Sequence, residues 1–118
     1  MIVETVGLGG FAQAAALPLQ RYQGGSPEVM IARNLSLYRI TVGEHEHFHI
    51  PALGFRGTPT GIDIFKVVET GIVPVIDMGI AGRDGGQIGA GVVKAPIECF
   101  EFAVKAYKET YGTNTPDA

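Results

Sequence analysis

The sequence predicts a small α/β or α+β domain, in which short strands and about four helices are joined by glycine-rich turns. Apolar runs of strand length alternate along the chain with segments that carry helix caps and helical apolar spacing. Glycine supplies 17 of the 118 residues, about twice its usual share of roughly 7%. These glycines lie among Ile, Val and Ala, which indicates turns and close backbone approaches within a folded domain.

The N-terminal part is predicted to form a strand, a turn and a helix in that order. Residues 1–6 are an apolar run of strand length, and residues 7–10 contain three glycines. Residues 11–16 have high helix propensity before Pro18, which would end the helix. This order would place free backbone N–H groups at a helix N-terminus, where anions bind favourably.

A longer second helix is predicted between Ser26 and Gly43. Ser26 is a good capping residue, and Pro27 is favoured at the first helical position. Four residues at helical spacing would form its buried stripe: Ile31, Leu35, Tyr38 and Val42.

The C-terminal part is predicted to contain two helices and two strands. One helix would be capped by Thr60 and end at Gly71, and the last would begin at Pro96 and end at Gly112. Strands are expected over residues 72–77 and 87–93, with a glycine-rich loop over residues 78–86. The last helix would bury Ile97, Phe100, Val104, Tyr107 and Tyr111. One domain over residues 1–112 and a flexible tail over residues 113–118 are therefore expected.

Composition excludes several functional classes. The 12 acidic residues outnumber the 9 basic ones, whereas nucleic-acid binding would favour clustered Lys and Arg. No apolar run reaches the roughly 18 residues of a membrane span, and residues 1–4 do not resemble the start of a signal peptide. A single cysteine, Cys99, excludes an internal disulfide and is expected to be a buried thiol. We therefore expect a cytoplasmic protein with neither nucleic acid nor membrane as partner.

The main candidate site is the segment from Asp77 to Gln87. Asp77 would end a strand, where α/β proteins often place functional carboxylates. The following glycines would let backbone N–H groups converge on an anion, and Arg83 would offer a planar donor fork. The alternative is a mobile turn in which Arg83 pairs with Asp84. The segment is neither a P-loop nor a convincing dinucleotide fingerprint.

Two further groups could contribute to an anion site. Glu4 with the amides of Gly9 and Gly10 would form a second wall, although a tight strand-to-helix turn explains the same residues. Arg56 stands beside a predicted helix N-terminus, where it could assist the anion or pair with Asp63, and the sequence leaves both open.

Three histidines follow an alternating pattern. His45, His47 and His49 would share one side of an extended chain and could bind a divalent metal. A solvated polar loop is favoured because Glu44 and Glu46 flank them and the segment lies between two predicted helices. No metal and no cofactor is therefore predicted.

Three long stretches, residues 2–10, 61–77 and 79–96, carry a family resemblance. They resemble the C-terminal section of the DUF1116 family, the oxamate carbamoyltransferase large-subunit type, and the similarity extends over nearly the whole chain. The resemblance implies one component of a multi-subunit enzyme of allantoin breakdown, which moves a carbamoyl group between oxamate and phosphate. It also implies an anionic small-molecule substrate, an oligomeric assembly, and a larger N-terminal part or partner subunits supplied outside this chain.

Carbamoyl transfer needs donors for phosphate oxygens and stabilisation of a tetrahedral oxyanion. Under this hypothesis Asp77 and Arg83 are the catalytic candidates. The substrate-binding candidates are Glu4, Gly9, Gly10, Arg56, Asp84 and Gln87. The alternative is a non-catalytic structural or oligomerisation domain left by truncation or gene splitting.

Overall fold

The computed structural model describes residues 2–19 and 26–112, with the side chains of all of these except residues 19, 79, 80 and 87–90. The described α-helices are α1 (Pro27–Leu37), α2 (Ile64–Thr70) and α3 (Ile97–Tyr111). The described strands are β1 (Thr41–Ile50), β2 (Arg56–Ile62), β3 (Val75–Ala81) and β4 (Gln87–Lys94). β1 pairs with β2 and β3 pairs with β4, both antiparallel, which gives two separate two-stranded sheets. The predicted class is confirmed in its α+β form, and several short 3-10 segments accompany the three described α-helices.

The predicted N-terminal strand is wrong. Val3–Val6 forms a 3-10 turn, and a second 3-10 stretch covers Gly9–Ala15 in place of the predicted α-helix. Gly7 and Gly9 both have positive φ angles, 84° and 60°, which reverse the chain direction within a few residues. The apolar run therefore closes local i→i+3 hydrogen bonds, such as Gly7 N–H to the Glu4 carbonyl, instead of pairing as a strand.

A buried asparagine fastens this 3-10 stretch to α1. Asn34 Oδ1 accepts a hydrogen bond from the Ala14 amide at 2.9 Å, and its Nδ2 donates to the Phe11 carbonyl at 3.1 Å. Asn34 and Phe11 are both fully buried. The side chain thus satisfies backbone groups that an irregular segment would otherwise leave unpaired in the core.

The start of α1 is confirmed, but its predicted stripe is wrong. Ser26 caps the helix by accepting from the Val29 amide at 3.3 Å. The helix ends at Leu37, and it buries Met30, Asn34 and Leu37. Leu35 is exposed, and Val42 lies 70% exposed in β1, because the chain changes to strand geometry at Thr41.

Two predictions for the first hairpin, formed by β1 and β2, are wrong. Residues 44–49, expected to form a loop, lie in β1, and Thr60 lies in β2 rather than at a helix cap. The cap of α2 is Asp63, whose Oδ1 accepts from the Phe65 amide at 2.9 Å and the Lys66 amide at 3.3 Å. The predicted end of this helix at Gly71 is confirmed, since Gly71 adopts the left-handed conformation.

The second hairpin changes the setting of the main candidate segment. β3 starts after Pro74 and continues to Ala81, so that the first residues of the predicted loop belong to a strand. The turn is closed by hydrogen bonds from Gly82 N–H to the Gly86 carbonyl at 2.7 Å and from Gly85 N–H to the Gly82 carbonyl at 3.2 Å. Asp77 consequently lies inside β3, opposite Val92, and not at the end of a strand.

The core gathers residues from most of the chain. Phe11, Leu37, Ile40, Val67 and Val75 form its buried centre, and Ile97 and Phe100 of α3 pack against it. The predicted burial of the C-terminal half of α3 is wrong, because Tyr107 and Tyr111 are exposed. Cys99 is also exposed, contrary to the prediction of a buried thiol.

No helix within the described ranges combines the length and apolarity needed to cross a membrane. The tail predicted over residues 113–118 lies outside the described residues.

Candidate functional site

Glu4 is the centre of an unusual buried contact. Its side chain is only 2% exposed, and its Oε2 accepts two backbone hydrogen bonds, from Gly10 N–H at 2.9 Å and from Asp77 N–H at 3.0 Å. We call Glu4, Gly9, Gly10 and Asp77 the Glu4 junction. It joins the N-terminal 3-10 turns to the middle of β3, so the structure brings together four of the predicted site residues.

The two glycines of the junction are required by close packing. A Cβ on Gly9 would collide with the Glu4 carboxylate, and a Cβ on Gly10 would collide with the Val75 carbonyl. The anion held by the Gly10 amide is therefore the protein's own Glu4 carboxylate. The expectation that this amide binds a substrate anion is corrected in this respect, because the donor is already used.

Two threonines of β2 lie beneath the first turn. Thr58 and Thr60 present their hydroxyls to Gly7, where a Cβ would collide with both. Thr60 Oγ1 donates to the Thr58 carbonyl at 3.0 Å. Thr58 Oγ1 is buried and has no hydrogen-bond partner among the described residues. The neighbourhood of the junction thus combines polar groups with tight backbone contacts.

Arg83 and Asp84 lie in the exposed turn of the second hairpin, away from the Glu4 junction. Asp77 and Ala81 are four residues apart along β3, about 13 Å between their Cα atoms at the usual strand rise of roughly 3.3 Å per residue. Asp77 therefore lies near the junction, and Arg83 lies in the turn beyond the other end of the strand. Gln87 begins β4, and its side chain lies outside the described set.

Arg56 is engaged elsewhere. Its Nε donates to Glu44 Oε2 at 2.8 Å, and its guanidinium carbon lies 3.6 Å from the centre of the Tyr38 ring. Of the two open alternatives, the pair with Asp63 is not formed, since Asp63 caps α2 and Arg56 pairs with Glu44, while the assisted anion stays a prediction. Tyr38 donates to the Gly57 carbonyl at 2.6 Å. Burial raises the pKa of the Tyr38 hydroxyl, the charge of Arg56 lowers it, and Glu44 raises it further.

The three histidines lie on β1, and the rings of His45 and His49 turn towards nearby backbone groups. His45 Nδ1 accepts from the His47 and Phe48 amides at 3.0 and 3.1 Å, and the His45 ring stacks on Phe48 with centroids 4.1 Å apart. The His49 ring contacts the Glu46 carbonyl at 3.1 Å. Within the described part of the chain, no three metal-ligating side chains converge. The solvated loop that we favoured is a strand.

One feature escaped the sequence analysis. A cavity of about 280 Å³ is lined by two basic residues, Arg33 of α1 and Lys94 of β4. Arg33 lies in mid-helix and Lys94 at the end of a weak strand pattern, with no motif linking them. Tertiary packing brings the helix and the strand to one cavity, so local spacing offered no signal.

Comparison with known proteins gives two curated relatives. The chain is 45% identical over 113 residues to the uncharacterised protein YahG of Escherichia coli K12, which covers 94% of the chain and 24% of YahG. It is 43% identical over 114 residues to the oxamate carbamoyltransferase subunit AllG of the same strain, covering 94% of the chain and 27% of AllG. No family model matches the sequence.

A solved structure shares the fold. The crystal structure of a conserved protein of unknown function from Enterococcus faecalis V583 matches with a TM-score of 0.80 and 42% identity, over 91% of this chain and 26% of that chain. The chain is thus homologous to these proteins and spans about a quarter of their length. Its fold corresponds to a partial domain of a longer protein.

Proposed function

We propose that this chain is a component of a carbamoyltransferase-type enzyme that acts on oxamate and carbamoyl phosphate in allantoin catabolism. The observation that carries the proposal is the 43% identity to an oxamate carbamoyltransferase subunit over 94% of the chain. The chain acts together with further subunits or with the remainder of an AllG-like protein, because it corresponds to only 27% of that relative.

Within this proposal, the second hairpin contacts the substrate. Oxamate carries a carboxylate and carbamoyl phosphate carries a phosphate, and a guanidinium binds either group through paired hydrogen bonds. Arg83 is exposed and has no acidic partner among the described residues, so its donors are available. Asp84 is its neighbour in the turn and Gln87 follows at the start of β4.

The Glu4 junction has a positioning role in the same proposal. Asp77 lies in the middle of β3, whereas Arg83 lies in the turn that follows the strand. Glu4 fixes the Asp77 backbone through a buried hydrogen bond, and this holds β3, which carries the turn. Arg56 keeps the first hairpin in shape through its contacts with Glu44 and Tyr38.

A segment exchange tests the proposal. This chain replaces the matching segment of AllG, the exchanged protein is assembled with its partner subunits, and carbamoyl transfer between carbamoyl phosphate and oxamate is measured. We expect activity to be retained, and to fall about tenfold or more in Arg83→Ala, the scale of one lost charged hydrogen bond. Arg39→Ala is the matched control, since Arg39 is also an exposed arginine. An assembled but inactive exchange protein, or equal activity of the two variants, would refute the catalytic role.

Exposed apolar side chains favour a second candidate, an assembly module. Phe102 and Tyr111 of α3 are each 71% exposed, which is unusual for large rings unless another surface covers them. In this case Phe102→Ser lowers association with the partner subunits in sedimentation experiments, while Arg83→Ala and Asp77→Ala leave the activity of the complex unchanged. Loss of activity in Arg83→Ala with assembly intact counts against this candidate.

A further inference from the structure

A concave basic pocket lies where α1, the segment after α2 and the β3–β4 sheet meet. It has a volume of about 280 Å³. Arg33 and Ser36 line it from α1, and Lys94 lines it from β4. Ile72, Val73 and Val75 supply its apolar walls. We call this cavity the Arg33 pocket.

Among the described residues, no carboxylate neutralises the charges of the Arg33 pocket. The described lining contains two cations and no acidic residue, although acids outnumber bases in the chain by 12 to 9. Within the described ranges, neither Arg33 nor Lys94 forms an ion pair with a carboxylate. Arg33 makes only a long hydrogen bond of 3.5 Å to Gln13 Oε1, whereas Arg56 is fully engaged by Glu44 and Tyr38. Two available cations therefore face one cavity.

The fold fixes the backbone positions of both basic residues. Lys94 lies directly opposite Val75 in the β3–β4 ladder, and the Ala95 amide closes the end of the ladder by donating to the Pro74 carbonyl at 2.9 Å. Ser36 donates its hydroxyl proton to the Arg33 carbonyl at 2.6 Å, so in the pocket this hydroxyl can only accept a hydrogen bond. The donors to a ligand must then come from Arg33 and Lys94. Apolar walls beside them lower the local dielectric and strengthen their attraction for an anion.

We propose that the Arg33 pocket binds a small oxyanion, a carboxylate or a phosphate. Arg33 supplies a planar fork that suits two oxygens of the anion, and Lys94 supplies a compact positive charge beside it. The volume lies just below the range of about 300–1,000 Å³ typical of sites for drug-sized molecules, which suits a small ligand. The inference is independent of the proposed function, because neither Arg33 nor Lys94 takes part in the site proposed there.

Calorimetry on the chain itself tests this inference. Inorganic phosphate and oxamate are titrated separately at low and at raised ionic strength. We expect saturable binding of at least one of them, weakened by salt, and the one that binds identifies the anionic group. Arg33→Gln and Lys94→Gln should each raise the Kd about tenfold or more. Arg39→Gln, which removes an exposed arginine outside the pocket, should leave the Kd unchanged.

The variants also guard against a folding artefact. Lys94 lies exposed at the end of β4, so its replacement should not disturb the fold. Lys94→Gln therefore keeps the test valid even if Arg33→Gln disturbs α1. Circular dichroism checks that both variants are folded. Absence of saturable binding of either anion would overturn the proposal. Unchanged affinity in both variants would also overturn it. A loss of affinity confined to Arg83→Ala would do the same, because it would place the anion at the second hairpin. Because this test uses the chain alone, its failure is distinct from failure of the assembled enzyme.

Discussion

Replacing Glu4 by alanine should destabilise the protein by about 3 kcal/mol. The substitution removes the acceptor of two backbone N–H groups, those of Gly10 and Asp77, at a site where Glu4 is 2% exposed. A buried donor left without a partner costs about 1–3 kcal/mol. We take about 1.5 kcal/mol for each donor, because water can enter part of the vacated space. Glu4→Gln retains an acceptor oxygen and loses only the charge-assisted part, so about 1 kcal/mol is expected.

Urea denaturation at neutral pH, followed by circular dichroism, measures these free energies of unfolding. Glu46→Ala is the matched control, because the Glu46 side chain is 87% exposed and its removal should change stability by less than about 0.5 kcal/mol. The control is expected to be the most stable of the three variants, followed by Glu4→Gln and then by Glu4→Ala. If Glu4→Ala were as stable as the control, the junction would not hold β3, and its positioning role would be lost with it.

Three further predictions concern packing, hydrogen bonding and pH. Gly10→Ala should cost about 1–3 kcal/mol in denaturation experiments, since its Cβ meets the Val75 carbonyl, whereas Gly43→Ala, with open space around its Cβ, should be nearly neutral; equal effects would contradict the close approach. Asn34→Ala should cost about 2–5 kcal/mol, because it leaves a buried amide and a buried carbonyl unpaired, and hydrogen exchange of the 3-10 stretch should rise; unchanged exchange would argue against this anchor. Because burial raises the pKa of Tyr38 above its ordinary 10.0, the folded state keeps this proton longer than the unfolded state, so the stabilisation is complete below pH 10.0 and is lost as pH rises through the folded pKa. The ultraviolet difference titration of wild type against Tyr38→Phe measures that midpoint, and a value at or below 10.0 would refute it.

Several predictions that rest on local chemistry agree with the structure. Ser26 and Pro27 mark the start of α1, Gly71 ends α2, and Pro96 precedes α3, because caps and turn residues act on backbone groups within a few positions. The errors occur where a distant partner overrides local preference. β2 contains Pro59 and two glycines, and it forms a strand only because β1 pairs with it.

For the candidate site, too, the residues were predictable from the sequence and their contacts were not. The sequence by itself indicated Glu4, Gly9, Gly10 and Asp77 through their residue types and through the glycines that surround them. Only the tertiary structure showed that Glu4 reaches Asp77, 73 residues along the chain, and uses the Gly10 amide as well.

The sequence by itself therefore determined a mixed class of helices and short strands, most helix ends and the residues of the Glu4 junction, since caps, glycine turns and apolar runs depend on near neighbours. The tertiary structure decided the hairpin pairings, the position of Asp77 inside β3, and the meeting of Arg33 with Lys94 in one cavity. The physical reason is that strand pairing and core packing join residues far apart in the chain. Those contacts depend on how the whole chain buries its apolar surface, which no local pattern specifies.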